Sequence, residues 1–373
     1  MENIESHTGR LINAQRQDDE EPPDGISTVN LFEEGDVLFG KLRPYLAKGW
    51  LCSFSGASTT EALVLRPGPD IDPRYLLHTI LSTDFIREVD TTTFGSKMPR
   101  ADWDNIGNLV IHLPPREKQE KIARYLQSST ATIDALIAAK QHLMELLAEK
   151  RSALIGRIIT KGLDAEPPRS DSGIPWLGSI PAHWKIERAK WLFTERDDRS
   201  ESGDEELLSV SHLTGVTSRA EKNVNMFMAE SLEGYKRCET GDLVINTLWA
   251  WMGAMGVTRQ PGIVSPAYNV YQPVPELDPE YIDLLVRTPR FAEEITRYSK
   301  GVWSSRMRLY PEGLYEAWLP IPPKEEQQAI VAYIKQETQK IDAFALATER
   351  TISLLQERRS ALISAAVTGQ IEF

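Results

Sequence analysis

The sequence predicts an α+β protein built as an internal repeat: two globular α/β heads separated by two long helices that pair as an antiparallel coiled coil, with pseudo-twofold symmetry. Two observations carry this. The stretch LPPREKQEKIARYLQSSTATIDALIAAKQHLMELLAEKRSALIGRIIT, from Leu113, aligns without a gap, at a shift of 208, with IPPKEEQQAIVAYIKQETQKIDAFALATERTISLLQERRSALISAAVT, from Ile321. Self-similarity at a fixed spacing marks a duplicated structural unit. Each copy then runs about forty residues beyond its Pro-Pro pair without Gly or Pro, with apolar residues at the three-four spacing of a helical seam.

The first head is expected over 1–112. Its stretch EEGDVLFGKLRPYL, Glu33 to Leu46, has the Gly-x4-Gly-Lys spacing of a phosphate-binding loop. That loop needs a Ser or Thr after the Lys to hold magnesium, and a helix whose N-terminus faces the anion. Leu42 fills the hydroxyl position, Pro44 falls where the helix should begin, and the repeat removes the motif altogether. GDLVINTLWAWMGAMGV, from Gly241, aligns with GDVLFGKLRPYLAKGWL, from Gly35, and has Asn246-Thr247 where Gly40-Lys41 stood. The shared unit is a Gly-Asp turn, an apolar strand and a further turn.

The first long helix is expected over 113–163 and the second over 321–373. Proline is tolerated in a first helical turn and acids follow at Glu117 and Glu325, as helix starts require. Ile122, Ile133, Leu147 and Leu154 in the first, and Ile330, Ile341, Leu355 and Leu362 in the second, are the candidate pairing positions. Forty helical residues span roughly 60 Å, whereas a head of 150 residues is only about 40 Å across. The second head, 173–320, follows a linker over 164–172 and cannot carry the chain back along a whole helix, so antiparallel pairing is expected, with one head at each end.

With 373 residues the chain has room for two or three domains. No apolar run is long enough to cross a bilayer, and the N-terminus has neither a basic start nor an apolar segment; a cytoplasmic location without membrane partners is expected. Cys52 and Cys238 have no metal-type neighbours and read as free thiols. The net charge of −12 argues against nucleic acid, but its distribution weakens the objection. Gln17 to Asp36 carries eight acids and no base, and Glu195 to Glu206 seven acids against two arginines, which is more than the whole excess.

As a set, PP.EEQ..I at Pro322 to Ile330 (more loosely Pro114 to Ile122), ID at 133–134 and 341–342, RSALI at 151–155 and 359–363, GIPWLGSIPAHWKI at Gly173 and GIVSPAYNVYQP at Gly262 resemble the specificity (DNA sequence-recognition) subunits of type I restriction-modification enzymes. The resemblance covers nearly the whole chain. It implies that each head is a target recognition domain for half of a bipartite site in double-stranded DNA, and that the helices bind DNA-methyltransferase (modification) subunits and, through them, restriction/translocase subunits. S-adenosylmethionine, ATP and magnesium would act on those partners, leaving no cofactor and no catalysis to this chain. The residue search agrees. There is no Gly-x-Ser-x-Gly elbow, no His-x-x-x-His metal pair and no Asn-Pro-Pro-aromatic motif, and His7, His78, His112, His142, His183 and His212 are scattered. The competing class is a protein-binding coiled-coil scaffold with two heads and no DNA role.

Candidate DNA contacts lie where loops meet the helix start: Ser96, Lys97 and Arg100 in TFGSKMPRADW, and Lys300, Ser305, Arg306 and Arg308 in SKGVWSSRMR. Hydroxyls with closely spaced cations suit phosphate contacts and bidentate guanine readout. Lys41, Arg43, Asn246 and Trp249, at the strand ends, complete the set. The bland alternative is solvated loop charges, with Trp249 and Trp303 as core aromatics. One departure from the family stands out. About 67 residues separate Gly173 from the Gly-Asp turn of the second head, but only 34 precede that of the first. The first recognition domain is therefore expected to be N-terminally shortened, with an exposed sheet edge.

Overall fold

The computed structural model describes residues 1–12, 29–95, 97–164, 166–221, 231–301 and 307–373. The chain divides into two compact units, Met1–Met144 with Ala347–Phe373, and Glu145–Leu346. Each holds one head and part of both long helices, so the dividing lines cut through the helices.

In the first unit the head comprises β1 (Val29–Phe32), β2 (Val37–Gly40), β3 (Gly49–Leu51), β4 (Gly56–Thr59), β5 (Ala62–Leu65), α1 (Pro73–Ile80), α2 (Thr83–Thr91) and α3 (Trp103–Ile106), and α4 (Arg116–Lys161) follows. The antiparallel sheet has the order β3-β2-β5, and β1 pairs with β4. The pleat sends Val37 and Phe39 of β2 into a core with Ile80, Phe85 and Val89 of the helices, and Leu38 to the opposite face with Ile4, Phe32, Trp50 and Cys52. The apparent phosphate loop is thus a buried central strand, followed by a 3-10 turn at Pro44–Leu46.

The second head comprises β6 (Arg169–Asp171), β7 (Ser179–Pro181), β8 (Lys185–Arg188), α5 (Ala189–Leu192), β9 (Phe193–Arg196), β10 (Leu208–Ser211), β11 (Gly215–Ser218), β12 (Lys236–Cys238), β13 (Leu243–Asn246), β14 (Met255–Val257), β15 (Gly262–Val264), β16 (Tyr268–Pro273), α6 (Pro279–Val286), α7 (Pro289–Tyr298), α8 (Pro311–Glu316) and β17 (Trp318–Ile321), before α9 (Lys324–Val367). Its central sheet, β14-β13-β16-β9, repeats the first head's sheet with one strand added, and β17 pairs with β8.

The residues shared by the repeats are structural locks. Gly35 and Gly241 hold φ of 91° and 95°, a left-handed turn that favours glycine. The carboxylates of Asp36 and Asp242 then accept the backbone N–H of Glu33 and Glu239, each 2.8 Å away, and fix the turn before the strand. Gln119 and Gln327, both buried, accept from the backbone N–H of Asp72 and Asp278 and donate to Pro114 and Pro322 carbonyls, which ties each head to its long helix. The hydroxyl of Tyr75 donates to the carbonyls of His112 and Val367, and that of Tyr281 to Ile159 and Pro320.

Within each unit the long helices run antiparallel. In the first, Ile122 and Leu126 pack with Ile363 and Val367, with Leu362 half-buried beside them. In the second, Ile158 and Ile159 share a core with Ile330 and Ile334, with Leu154 against it. The Asp of each ID pair meets the Arg of an RSALI run: Asp134 with Arg359 at 2.8 Å, and Asp342 with Arg151 at 3.1 Å. Ile133 is buried, while Leu147, Ile341 and Leu355 are only half-buried. The deepest packing falls where the start of one helix meets the end of the other, on Ile122, Leu126 and Ile363 in the first unit and Ile158, Ile159, Ile330 and Ile334 in the second, where head residues add to the seam.

The heads differ on one side. β9 covers the outer edge of β16 and β8 that of β17 in the second head. Among the described residues of the first, no strand pairs with the outer edge of β5 or with residues 110–113, which align with β17. The central strand β2 is flanked on both sides, so among the described residues the open edge of this sheet is that of β5. Arg66 compensates for one loss. In the second head Arg196 of β9 neutralises Asp242; in the first, Arg66 reaches Asp36 through two bonds of 2.9 and 2.8 Å. That guanidinium holds the Asp36 carboxyl below its usual range, whereas burial raises Asp242.

Candidate nucleic-acid interface

In each head the turn after the central strand is joined by backbone bonds to the loop before the long helix. In the first head Ala101 N–H donates to the Lys41 carbonyl (3.0 Å) and Arg43 N–H to the Pro99 carbonyl (2.7 Å). Phe94 and Arg100 exchange two backbone bonds, closing the loop between them. In the second, Leu309 N–H donates to the Thr247 carbonyl (3.0 Å), and Lys300 and Arg308 exchange two bonds of 2.9 Å. Lys41, Arg43, Lys97 and Arg100 are brought to one junction, and Trp249, Lys300 and Arg308 to its counterpart, from segments more than fifty residues apart.

The side chains differ in what they are free to do. Arg43, Lys97, Lys300 and Arg308 are exposed and have no carboxylate partner among the described residues. Arg100 is also exposed but pairs with Glu61 at 2.9 Å, and Lys41 is half-buried. Asn246 is buried: its amide donates to the Tyr268 hydroxyl (3.2 Å) and its side-chain oxygen accepts Leu248 N–H (3.3 Å), so it shapes the turn. Ser96, Ser305, Arg306 and Trp303 lie outside the described residues. Arg43 has φ 51° and ψ 64°, a left-handed conformation costing an Arg about 1–2 kcal/mol. The Pro99 carbonyl bond holds it there.

Trp249 is half exposed at 50% and stacks on Trp251, with ring centroids 6.4 Å apart and planes 17° from parallel. It is not a core aromatic. Lys300 lies 5.8 Å above the ring of Tyr310. Trp251, Tyr310 and, in the first head, Phe94 therefore belong to the same surfaces, although sequence reasoning singled out none of them. Composition cannot separate an exposed aromatic from a core one; the only available signal was alignment of Phe94 and Lys300 across the repeat. Among the described residues no three His, Cys, Asp or Glu side chains gather as metal ligands. Both cysteines are buried, with thiols pushed up to about 12 by burial.

Fold and site together define a class: a duplicated recognition-and-helix protein whose paired heads present cations and aromatics beside the base of a long helix. The type I restriction modification DNA specificity domain matches residues 54–145, within the first unit and on into α4. Over 357 residues the chain is 22% identical to the MjaVIII specificity subunit of Methanocaldococcus jannaschii, covering 90% of this chain and 76% of that one. A chain from a structure of type I restriction-modification complex assembly and conformational transition superposes with a TM-score of 0.67 at 19% identity, covering 98% and 89% of the two chains. The HsdS subunit from Thermoanaerobacter tengcongensis gives 0.54 at 18%, covering 99% and 89%; at such identities these structures speak for the fold.

The chain is thus similar over nearly its whole length to specificity subunits of type I restriction-modification systems, and it shares their fold. The protein-only scaffold gains no support. No helix among the described residues is long and apolar enough to cross a membrane.

Proposed function

We propose that the two heads, as target recognition domains over 1–112 and 173–320, each read one half of a bipartite site in double-stranded DNA, and that the long helices hold modification subunits and, through them, restriction subunits. S-adenosylmethionine, ATP and magnesium act on those partners. The observation that supports this reading best is the repeated junction: both heads present unpaired cations where the central-strand turn meets the loop before the helix. Arg43 and Lys97 serve the first half-site; Lys300, Arg308 and Trp249 serve the second, with Ser96, Ser305 and Arg306 on the same loops. Lys41 and Arg100 act as supporting contacts, and Asn246 positions its turn. The inner helix residues Ile122, Ile133, Leu154, Ile330 and Leu362 set the helix pairing on which partners assemble.

The test is methylation-site mapping and salt-dependent DNA binding in the complex assembled with modification subunits. Lys300→Ala with Arg308→Ala should relax sequence preference at one half-site only, with a loss of about 1–3 kcal/mol per base-reading residue. A residue that touches only phosphate should instead reduce the salt slope by about one. Arg43→Ala with Lys97→Ala should act on the other half-site. Unchanged affinity, salt slope and site preference in both double variants would remove these loops from the interface.

A further inference from the structure

Four cations gather where α4 ends within the second unit. Arg157 and Lys161 lie one turn apart at the C-terminal end of α4, Arg169 begins β6, and Arg290 is the second residue of α7. Arg157, Lys161 and Arg290 line a cavity of about 350 Å³. Arg157 and Lys161 also line a second cavity of about 360 Å³, shared with Arg169. Lys161 is half-buried, and its ammonium donates to the carbonyls of Leu177 (3.0 Å) and Ser179, which holds it at the border of both cavities. Burial, then the charges of Arg169 and Arg290, keep its pKa below the usual lysine value. Arg157, Arg169 and Arg290 are exposed, and none has a carboxylate partner among the described residues. One acid, Asp164, lines the second cavity, and its carboxylate accepts the backbone N–H of Glu166 (3.1 Å).

The fold itself does not require this charge. Cations are favoured near a helix C-terminus, which accounts for Lys161, but a cation in the first turn of a helix opposes the dipole. Arg290 does so in α7, whereas the matching second residue of α2 is Asp84. Across the repeat Arg157 and Lys161 align with Ala365 and Gly369, and α9 has no base in its last turn. The helix pairing is kept in both copies, the cations in one only. In a chain with 54 acids and 42 bases, composition alone does not bring four cations together around one acid. Like charges held close without compensation raise the energy of the free protein, and a local rule broken in this way marks a functional site.

We propose that Arg157, Lys161, Arg169 and Arg290 form a binding site for a polyanion with at least two linked phosphate groups, one to each cavity. Guanidinium groups match phosphate oxygens in pairs. A phosphate brings more charge and more acceptor oxygens to one cavity than a carboxylate does, which suits four cations around one acid. This chemistry is shared by a free polyphosphate, such as the chain of a nucleotide, and by a nucleic-acid backbone. The cluster has no residue in common with the recognition loops, so the proposal stands apart from the half-site reading.

The experiment uses the full chain, with pyrophosphate and a short duplex of random sequence as probes and sodium chloride at matched ionic strength as control. At least one probe should slow hydrogen exchange at residues 156–163 and 288–292 and raise the thermal midpoint. The double variant Arg157→Gln, Arg290→Gln should bind that probe about tenfold more weakly or worse. Without any probe the same variant should melt no lower than the parent, because it removes repulsion, whereas a purely structural role would lower its midpoint. Protection by pyrophosphate assigns the source to a free polyphosphate. Protection by the duplex alone, with a salt slope reduced by about two in the double variant, assigns it to a nucleic-acid backbone. No protection beyond the salt control, unchanged affinity in the double variant, or a lower midpoint in that variant without probe would overturn the proposal. So would a polyglutamate peptide that binds as tightly as either probe, since the partner would then be an acidic protein segment.

Discussion

Arg151 and Arg359 occupy the same place in the repeat, yet their replacement by Ala should have very different consequences. Arg359 is 9% exposed and bonds both oxygens of Asp134, itself 10% exposed, at 2.8 and 3.4 Å, while also donating to the His7 carbonyl at 2.7 Å. Removing one partner of a buried pair costs about 3–5 kcal/mol, because the other charge is left without compensation. Here Arg10 still reaches Asp134 at 2.6 Å from a half-exposed position, which reduces the expected loss to about 2–4 kcal/mol. Arg151 and Asp342 are 45% and 57% exposed, and an exposed pair is worth about 0–1 kcal/mol. Each unit contains a buried cysteine that reports its own opening, Cys52 in the first and Cys238 in the second. Arg359→Ala should accelerate thiol labelling of Cys52 by about thirtyfold or more, and Arg151→Ala should change labelling of Cys238 by no more than about fivefold. Pairing Arg359→Met with Asp134→Leu should recover most of the loss, since no charge then remains buried. Equal effects of the two Arg substitutions, or unchanged Cys52 labelling in Arg359→Ala, would show that the buried pair does not hold the first unit together.

Leu147→Asp should cost roughly 1–2 kcal/mol, because half-burial lets the carboxylate reach water, whereas Ile158→Asp should cost above about 4 kcal/mol and prevent assembly with modification subunits; thermal unfolding and co-purification compare them. Burial, followed by the nearby Arg359 charge, pushes His78 down to about 4. A base with a lowered folded pKa leaves the unfolded state binding the extra proton, so stability is fully present above about pH 6.5 and falls by about 3 kcal/mol as pH drops to about 4. Urea midpoints across this range should slope for the parent and flatten for His78→Gln; parallel slopes would assign the effect to other groups. Cys52 should label faster than Cys238 in the unmodified chain, because among the described residues of the first head no strand pairs with the outer edge of β5; equal rates would mean that this open edge does not lower the opening energy.

The sequence by itself determined the duplicated architecture, the family resemblance and the antiparallel sense of the helices, because these rest on periodicity, chain length and repeated motifs that are local or collinear. What it could not show is why particular residues repeat. Asp134 and Arg359 are 225 positions apart, and nothing local to either announces an ion pair; the same letters give a buried lock in one unit and a solvated pair in the other, because only Met1–Leu11 brings Arg10 and the His7 carbonyl to the first. The candidate DNA residues followed the same division. Cation-rich loops could be seen in the sequence, but burial of Asn246, neutralisation of Arg100 by Glu61, exposure of Trp249 and the meeting of Lys41 with Ala101 were decided by tertiary contacts. Free energies of burial and charge pairing depend on what surrounds a side chain, and those surroundings are assembled from segments that chain order keeps apart.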